Sequence, residues 1–470
     1  MNSVAHRSAG ELYFGEATFG DARRTKRLVQ LFDSMVRHPG GTLPAKLSER
    51  QDLRAFYRIM NAKEVTHESV MRQHYVATRE AIQQTVSEGA AVLIIHDATE
   101  LDYANIIALQ AYLGQIGEGT HRGYICHNSL AVRADTKEVL GLTSQILHHR
   151  ANVPKNETEK QCRERKDRES RLWVHGAKQS GLNPIYGLVV DVSDALSDTF
   201  EYLSYEIDNH RHFVLRSRDN RRLHAPINDQ WYLHDAVRTW RSRDSYTIEI
   251  SANNKRKERK AVVNIAYGPV IIAPPGRRAG DYEEKPLAMW AVRVWEPNPP
   301  EGEEALEWIL LTNVAVHDKM DACVRAEWYS DRFIVEDFHK AKKTGCGIET
   351  LQFDTIERLE PAIGIISILA TTLLKLRAAA RQPDAETRPA TDVVDEIYVD
   401  VLRQHYPTRI GTNPSVKTFY MHVARLGGHQ NRKVDGFPGW ITLWRGWMKL
   451  ESMVRGYWLA ERRAQRCGTK

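Results

Sequence analysis

Residues 329–343 read Tyr-Ser-Asp-Arg-Phe-Ile-Val-Glu-Asp-Phe-His-Lys-Ala-Lys-Lys, without proline or glycine. The apolar residues Ile334 and Phe338 are four positions apart, which predicts one amphipathic helix across the stretch. Residues three or four positions apart share a face of such a helix. One face would carry Tyr329, Arg332, Glu336, His339 or Lys340, and Lys343.

This face combines one carboxylate with several cations and a phenol. The combination suits a divalent metal held beside a phosphodiester, with Glu336 as a ligand and Arg332, Lys340 and Lys343 contacting phosphates. The same spacing is also typical of a solvated helix face with ion pairs four residues apart. The spacing alone leaves both interpretations open.

Composition narrows the class of protein. The chain has 470 residues, enough for about two to four structural units. Its formal charge of +6 favours an acidic partner, with nucleic acid first and a membrane surface second. Five cysteines without a C-x-x-C pair indicate a reducing compartment. With no apolar signal segment and no bilayer-length apolar run, we expect a cytoplasmic protein without a membrane partner.

The first 70 residues have the composition of a basic helical region. Asp21 is a candidate N-cap for a helix that carries four cations between Arg23 and Arg27. A second basic helix is predicted over Arg50 to Met60, with aromatic residues among its cations. Such helices can follow a DNA backbone or enter a groove, although an ordinary solvated helical subdomain has the same pattern.

Carboxylates follow two predicted strands. The apolar run Ala90 to Ile95 ends at His96-Asp97, so Asp97 is a candidate metal ligand at a sheet edge. Two further strands are predicted, one leading into Val132 and one over Val139 to Ile146. A charged helix over Lys160 to Gln179 follows, with Trp173 and Val174 inward. The next strand, Ile185 to Val192, leads into three competing acids: Asp191, Asp194 and Asp198.

The segment between these acids and Glu336 is far longer than a minimal sheet needs, which predicts a β-rich insertion. A basic loop, Lys255 to Lys260, lies between two of its strands and could contact phosphates. The predicted strands are His212–Arg216, Tyr246–Ser251, Ala261–Tyr267, Val270–Ala273, Met289–Val294 and Trp308–Thr312.

The spacing Tyr-x2-Arg-x3-Glu-x6-Lys resembles the signature of cut-and-paste transposases of bacterial insertion sequences, in the family numbered four. Residues 20–28 and 119–132 resemble the same family. The resemblance implies an α/β fold class, with a ribonuclease-H-like catalytic core and a β-rich insertion flanked by helical N- and C-terminal domains. The expected boundaries are 1–70 for DNA-end binding, 71–385 for catalysis with an insertion at about 210–315, and 386–470 for dimerisation.

The resemblance also implies an Asp-Asp-Glu catalytic set, Asp97, Asp194 and Glu336, that holds two Mg²⁺ ions, with Mn²⁺ as a substitute. Aligning the pair Tyr202-Leu203 onto the family pattern selects Asp194 as the second acid. Here Ala195-Leu196 stand where family members have Arg-Glu, so Asp191 stays as the alternative.

The DNA contacts implied by the resemblance fall in three parts of the chain. Tyr329, Arg332 and Lys343 would position the cleaved strand by its phosphates, together with Lys340. Arg216 matches an active-site arginine, Trp308 matches a tryptophan that stacks on a flipped base, and Phe333 keeps the aromatic character of a hairpin contact. Core packing is the alternative for Trp308. DNA-end contacts carry over to Arg24, Arg27 and Arg58.

The function implied is a DNA transposase that binds the inverted ends of its own element, excises it through hairpin intermediates and joins it to target DNA. A homodimer on double-stranded DNA is expected, paired through the helix that carries Trp440, Trp444 and Trp447, unless this stripe is core. Two other classes remain: a catalytically silent or domesticated DNA-binding relative, and a stand-alone metal nuclease.

Overall fold

A twelve-stranded mixed sheet lies at the centre of the computed structural model, with helices on both faces. The class is therefore α/β, with a helical N-terminus as the sequence predicts. The structure describes residues 7–150, 156–181, 187–250, 259–276, 282–432 and 437–467.

The N-terminal region is helical. Asp21 caps the second helix by accepting a hydrogen bond from the Arg23 amide, and the second basic helix spans Arg50–Met60, so both predictions are confirmed. The fifth helix crosses the predicted boundary at residue 70 and packs on the sheet. The helices are α1 Ala9–Phe14, α2 Ala22–Arg37, α3 Leu43–Lys46, α4 Arg50–Met60 and α5 His67–Ser87.

Three long antiparallel strands open the sheet, as predicted: β1 (Val92–Asp102) pairs with β3 (Arg122–Arg133), and β3 pairs with β4 (Val139–His148). Two parallel strands then extend the other edge of β1, first β5 and then β6. The strands are β1 Val92–Asp102, β2 Gly114–Gln115, β3 Arg122–Arg133, β4 Val139–His148, β5 Val189–Ser193 and β6 His212–Arg216. The predicted start of β5, at Ile185, lies outside the described residues.

Helices connect the parallel strands. The predicted charged helix over Lys160 to Gln179 is wrong as one element, because a 3₁₀ turn at Glu169–Arg171 separates two helices. Trp173 and Val174 are buried, as predicted. The connecting helices are α6 Glu159–Glu164, α7 Leu172–Ser180 and α8 Phe200–Asp208.

The insertion is β-rich and continues the same sheet, because β12 pairs antiparallel with β6. The predicted strands Ala261–Tyr267 and Val270–Ala273 form one longer strand, β10. Most of the predicted basic loop, Lys255 to Glu258, lies outside the described residues. The elements are β7 Arg222–Ile227, β8 Gln230–Tyr232, α9 Leu233–Arg238, β9 Asp244–Ile250, β10 Arg259–Ile272, β11 Leu287–Trp295 and β12 Glu307–Thr312.

The single helix predicted over residues 329–343 is wrong. α10 Lys319–Ser330 ends before Asp331, α11 Phe333–Lys340 begins after Arg332, and a π-helical turn follows at Ala341–Gly345. Between the helices the amides of Arg332 and Ile334 bond to carbonyls three residues earlier, and Lys137 of the β3–β4 turn contacts Asp331 at 2.7 Å. This contact holds the break against the sheet.

Of the remaining helices, the first packs on the sheet and the last three pack on one another. Trp440, Trp444 and Trp447 are buried within this chain, and Trp440 stacks on Trp444 with ring centroids 5.5 Å apart. The tryptophan stripe is therefore core. The helices are α12 Ile356–Ala379, α13 Glu396–His405, α14 Val416–Leu426 and α15 Trp440–Cys467. Among the described residues, no helix combines the length and apolar character needed to cross a bilayer.

The two faces of the sheet are buried in different cores. Leu93 and Ile95 of β1 pack in the main core with the N-terminal helices, α12 and the C-terminal helices. Residues at alternate positions, such as Ile94, face the opposite side. The face that bears Leu93 and Ile95, called the α11 face below, is the one against which α11 packs through Val335 and Phe338.

Candidate active site

Asp97 and Asp194 lie side by side where the parallel pairing of β1 and β5 stops. The last pair in register is His96 with Ser193, and the two aspartates follow directly. β1 continues to Asp102 against β3, so the expectation that Asp97 ends its strand is wrong. Asp97 is nevertheless accessible, because β5 ends beside it. By strand alternation both aspartates belong to the α11 face.

Glu336 reaches the same place from α11. Its Oε1 accepts a hydrogen bond from Arg332 Nη2 at 2.9 Å, and Arg332 Nη1 lies 3.5 Å from Asp97 Oδ2. The turn between α10 and α11 thus places the Arg332 guanidinium between two acids that are distant in sequence. Asp194 also lies in its field.

The acids are crowded and partly desolvated. Burial raises the pKa of Asp97 to about 6; Arg332 opposes the shift, while Asp194 and Glu336 add to it. Burial also raises the pKa of Asp194, against the effects of the Leu196 amide and Arg332. Carboxyl groups that are raised in pKa by burial and by one another gain most from a bound cation.

The donor chemistry at this place suits a hard divalent cation, since three carboxylates are the oxygen ligands that Mg²⁺ prefers. Glu336 is held by Arg332, however, and Asp194 Oδ1 caps a 3₁₀ turn by accepting from the Leu196 amide at 3.0 Å. In the part of the chain that the structure describes, no three His, Cys, Asp or Glu side chains are arranged to hold one metal ion.

Asp191 lies on the opposite face of the sheet. It is buried, bonds to Arg211 through both carboxylate oxygens, and its Oδ1 lies 2.6 Å from His96 Nε2. Asp191 is therefore engaged in a buried ion pair on the face of the sheet opposite to Glu336. This placement favours Asp194 over Asp191 as the second acid.

Tyr329 and Arg216 approach the acids from the side of β6. Burial raises the pKa of the Tyr329 hydroxyl, while the nearby guanidinium groups of Arg332 and Arg216 oppose the shift. Arg216 is exposed at the end of β6, and its Nη2 lies 3.4 Å from the Glu307 carbonyl. The next residue in β12, Trp308, is half-buried on the α11 face, beside the cluster formed by Ile250, Ala261 and Leu306.

The aromatic and basic residues predicted around Glu336 differ in availability. Phe333 is 59% exposed, with the Arg332 guanidinium 5.3 Å from its ring centroid. Lys340 is exposed, whereas Lys343 pairs with Glu349 at 3.2 Å. The adjacent Lys342 is fully buried, and its Nζ lies 3.3 Å from Asn128 Oδ1.

Of the three arginines predicted to contact DNA from the N-terminal helices, two are tied to other parts of the region. Arg24 Nη1 bonds to Glu64 at 2.8 Å, and Arg27 pairs with Asp52 of α4. Arg58 is exposed beside Tyr57. These two residues line an open cleft of about 560 Å³ that also includes Asn61, Ile106, Phe353 and Arg358.

Sequence reasoning missed the buried polar residues near Asp97. Asn128 is fully buried in β3 on the α11 face, and His339 is mostly buried on α11. His127, the residue before Asn128, is buried on the opposite face against His96 and Trp173. Burial holds the pKa of His339 well below its usual range, with Lys342 and Lys343 adding to the effect. The run His127-Asn128-Ser129 inside an otherwise apolar strand was the available signal. The buried Lys342 had none, because lysine is rarely fully buried.

The N-terminal region matches a known protein family. Residues 6–65 match the family described as transposase DNA-binding. The matched segment comprises α1 to α4 and the turn before α5, and it includes Arg24, Arg27 and Arg58. This match supports a transposase that binds DNA, and therefore a DNA-processing protein.

Proposed function

We propose that this chain is a metal-dependent DNA transposase of the insertion-sequence family numbered four. It would bind the inverted ends of its own element, cut them and join the element to target DNA. The observation that carries the proposal is the convergence of Asp97, Asp194 and Glu336 on Arg332, in a chain whose N-terminal helices match a transposase DNA-binding family.

The architecture supports a ribonuclease-H-like core. Three antiparallel strands open the sheet and two parallel strands follow, with an acid on β1, another after β5 and the third on a covering helix. The β-rich insertion enters after β6 and returns through β12. The predicted domain limits remain part of this proposal.

Asp97, Asp194 and Glu336 would hold the two Mg²⁺ ions, with Mn²⁺ able to replace them. Bound Mg²⁺ would supply an activated water or 3′-hydroxyl and stabilise the leaving oxygen of an in-line displacement. Oε1 of Glu336 is bonded to Arg332, and release from this guanidinium would free the whole carboxylate to act with the other two acids. A DNA phosphate is a natural competitor for that guanidinium, since arginine binds phosphate through two parallel hydrogen bonds.

The other residues would hold the DNA. Tyr329 and Arg216 line the approach to Asp194 and can orient a phosphate there. Arg332 can do the same once it is released from Glu336. Phe333, exposed beside Arg332, and Trp308, half-buried on the same face, would stack on unpaired bases of a hairpin intermediate. Stacking is worth about 1 to 3 kcal/mol per base, enough to offset much of the cost of unstacking. Lys340 and Lys343 would add phosphate contacts.

A dimer on DNA is part of the proposal, but the tryptophan stripe of α15 is core. The far end of the same helix exposes Tyr457, Trp458 and Leu459, the last with 68% of its surface open. We propose that a second copy of the chain packs against this exposed apolar surface in the dimer. Trp458→Glu should leave DNA-end binding intact and prevent the paired-end complex in native gels and light scattering. A normal paired complex would contradict this interface.

The central test is a denaturing-gel assay of the chain on DNA that carries the inverted repeats flanking its own gene, with and without Mg²⁺. Glu336→Ala should abolish cleavage and keep end binding, whereas Asp337→Ala, at the neighbouring acid of α11, should still cut. Loss of both activities in Glu336→Ala would make Glu336 structural.

The products separate the remaining alternatives. Hairpin-ended fragments would support the roles of Phe333 and Trp308, and open ends would discard them. End binding without any cut by the wild type would favour a catalytically silent relative. Equal cutting of unrelated duplexes would favour a stand-alone nuclease.

A further inference from the structure

A buried polar network lies beside Asp97, with Asn128 at its centre. Asn128 is the register partner of Asp97 in the β1–β3 pairing and is fully buried. Its Oδ1 accepts hydrogen bonds from Gln145 Nε2 at 2.8 Å and Lys342 Nζ at 3.3 Å. Its Nδ2 donates to the Cys126 carbonyl at 2.9 Å and lies 3.3 Å from His339 Nε2.

This network fixes the orientation of the Asn128 amide. The Cys126 carbonyl can only accept, so it must face the nitrogen of Asn128, and Lys342 donates to the other end of the amide. An amide nitrogen can donate a hydrogen bond but cannot accept one, and the atom that faces the Lys342 ammonium group must accept. The oxygen of Asn128 therefore faces Gln145 and Lys342, and its nitrogen faces His339.

The orientation of the amide decides the state of His339. Since Asn128 Nδ2 can only donate, His339 Nε2 must present its lone pair, and the single proton of the neutral ring is on Nδ1. Nδ1 lies 3.9 Å from Asp97 Oδ2, so that N–H is on the side of the carboxylate. At this distance the contact is electrostatic, and a shift of about 1 Å makes it a hydrogen bond.

The effect falls on the freer oxygen of Asp97. Asp97 Oδ1 already accepts a hydrogen bond from the Ala98 amide at 3.0 Å, while Oδ2 faces Arg332 and His339. Arg332 and His339 are the two donors that face Oδ2. If Arg332 turns to a DNA phosphate, the N–H of His339 is the one of the two that stays beside Oδ2. It would then keep the carboxylate in one orientation.

We propose that Asn128 is a positioning residue that holds His339 with its proton on Nδ1 and thereby orients the carboxylate of Asp97. The catalytic meaning of this arrangement rests on the proposed function, but the arrangement itself does not. Outer partners of a metal-binding carboxylate commonly change metal affinity or activity by about 10- to 100-fold when they are replaced.

The first experiment reads the ring directly, by nitrogen NMR of the full chain with ¹⁵N-labelled histidine. His339→Gln identifies the signal, which in the wild type should show a protonated Nδ1 and an unprotonated Nε2. Asn128→Asp replaces the donor by an acceptor, so the proton should move to Nε2 or the ring should become charged. Asn128→Ala should also lose the preference, which protects against a folding defect in one variant.

A matched control is the next residue of β3. Ser129 is equally buried but bonds to His96 on the opposite face, so Ser129→Ala should leave the His339 signal in place. A wild-type ring protonated on Nε2, or a signal unchanged in both Asn128 variants, would overturn the proposal. Neither result depends on DNA cleavage.

The second experiment measures Mn²⁺ binding by calorimetry and, separately, cleavage against Mg²⁺ concentration. Asn128→Asp should weaken Mn²⁺ binding by about 10- to 100-fold and lower cleavage mostly at low Mg²⁺, with end binding unchanged. In a His339→Gln background the same change should add no further loss, and additive losses would show that Asn128 acts through packing alone. If the wild type binds Mn²⁺ but cuts nothing, the proposed function fails while the NMR and Mn²⁺ results still decide the role of Asn128.

Discussion

The two faces of the central sheet bear acidic side chains in opposite electrostatic situations. On one face Asp191 is buried and fully engaged with Arg211 and His96. On the other face, three residues further along the chain, Asp194 sits at the rim beside Asp97, and the cation that compensates them, Arg332, is shared with Glu336. Two acids three residues apart, one in β5 and one just after it, thus differ: the charge of Asp191 is satisfied, and that of Asp194 and its neighbours is in excess.

This difference separates a structural acid from a candidate functional one. The buried carboxylate of Asp191 contributes to stability because it keeps the Arg211 guanidinium from being an unpaired buried charge. Burial alone would raise the pKa of Asp191, but Arg211 and His96 more than offset this effect, and the pKa is lowered. A group of acids with raised pKa is costly to the folded state and is kept where a ligand can use the charge.

Removal of the satisfied acid should have the largest effect on stability. Asp191→Asn takes from Arg211 its bidentate partner in a buried site, with Glu206 remaining 3.4 Å from the guanidinium. We expect a loss of about 3 kcal/mol in the free energy of unfolding, measured by urea denaturation. Asp194→Asn is the matched control and should lose little stability while it abolishes cleavage. Equal destabilisation by both changes would remove the distinction between the two faces.

Removal of the excess charge should stabilise the chain, and only at high pH. The pKa of Asp97, about 6, lies above the ordinary 3.8, so between these values the folded chain keeps a proton that the unfolded chain releases. Stability therefore falls as pH rises through this window. Asp97→Asn abolishes the loss and should be more stable than wild type by about 2 kcal/mol at pH 8, with little difference near pH 4.

Thermal or urea unfolding at the two pH values provides the measurement. The corresponding change on the other face, Asp191→Asn, should destabilise at both. A pH-independent effect of Asp97→Asn would mean that the pKa of Asp97 is the same in the folded and unfolded chains, so that its charge is not in excess.

Local sequence was enough to predict the elements that depend on nearby residues. The Asp21 cap, the helix Arg50–Met60 and the three antiparallel strands follow from capping chemistry and periodicity, and the structure has them all. The break between Ser330 and Phe333 was not apparent from its own residues, and at the break Asp331 contacts Lys137, which lies almost 200 residues earlier. The choice between Asp191 and Asp194 likewise depends on Arg211 and on strand register.

The sequence also did not show which polar and aromatic side chains are buried. A run of lysines predicts exposure, but Lys342 is inside, where Cys126 and Asn128 of β3 receive its ammonium group. Trp440, Trp444 and Trp447 were assigned to one face correctly, yet only the packing of α13 and α14 against α15 shows that this face is core. Pairings between distant segments decide these cases.

The smallest expected effect applies the same contrast to the DNA-binding helices. Arg24 and Arg27 are paired with Glu64 and Asp52, whereas Arg58 is exposed beside the cleft. Each phosphate contact contributes about 0.9 to the slope of log affinity against log salt concentration. Arg58→Ala should therefore reduce that slope by about one unit on end DNA, measured by fluorescence anisotropy, and weaken binding similarly for all sequences.

The control is Arg27→Met, which should leave the slope unchanged and lower stability slightly because Asp52 loses its ion-pair partner. If Arg27→Met lowers the slope and Arg58→Ala does not, the paired arginines open their ion pairs to meet DNA, and exposure in the free chain is a poor guide to contact.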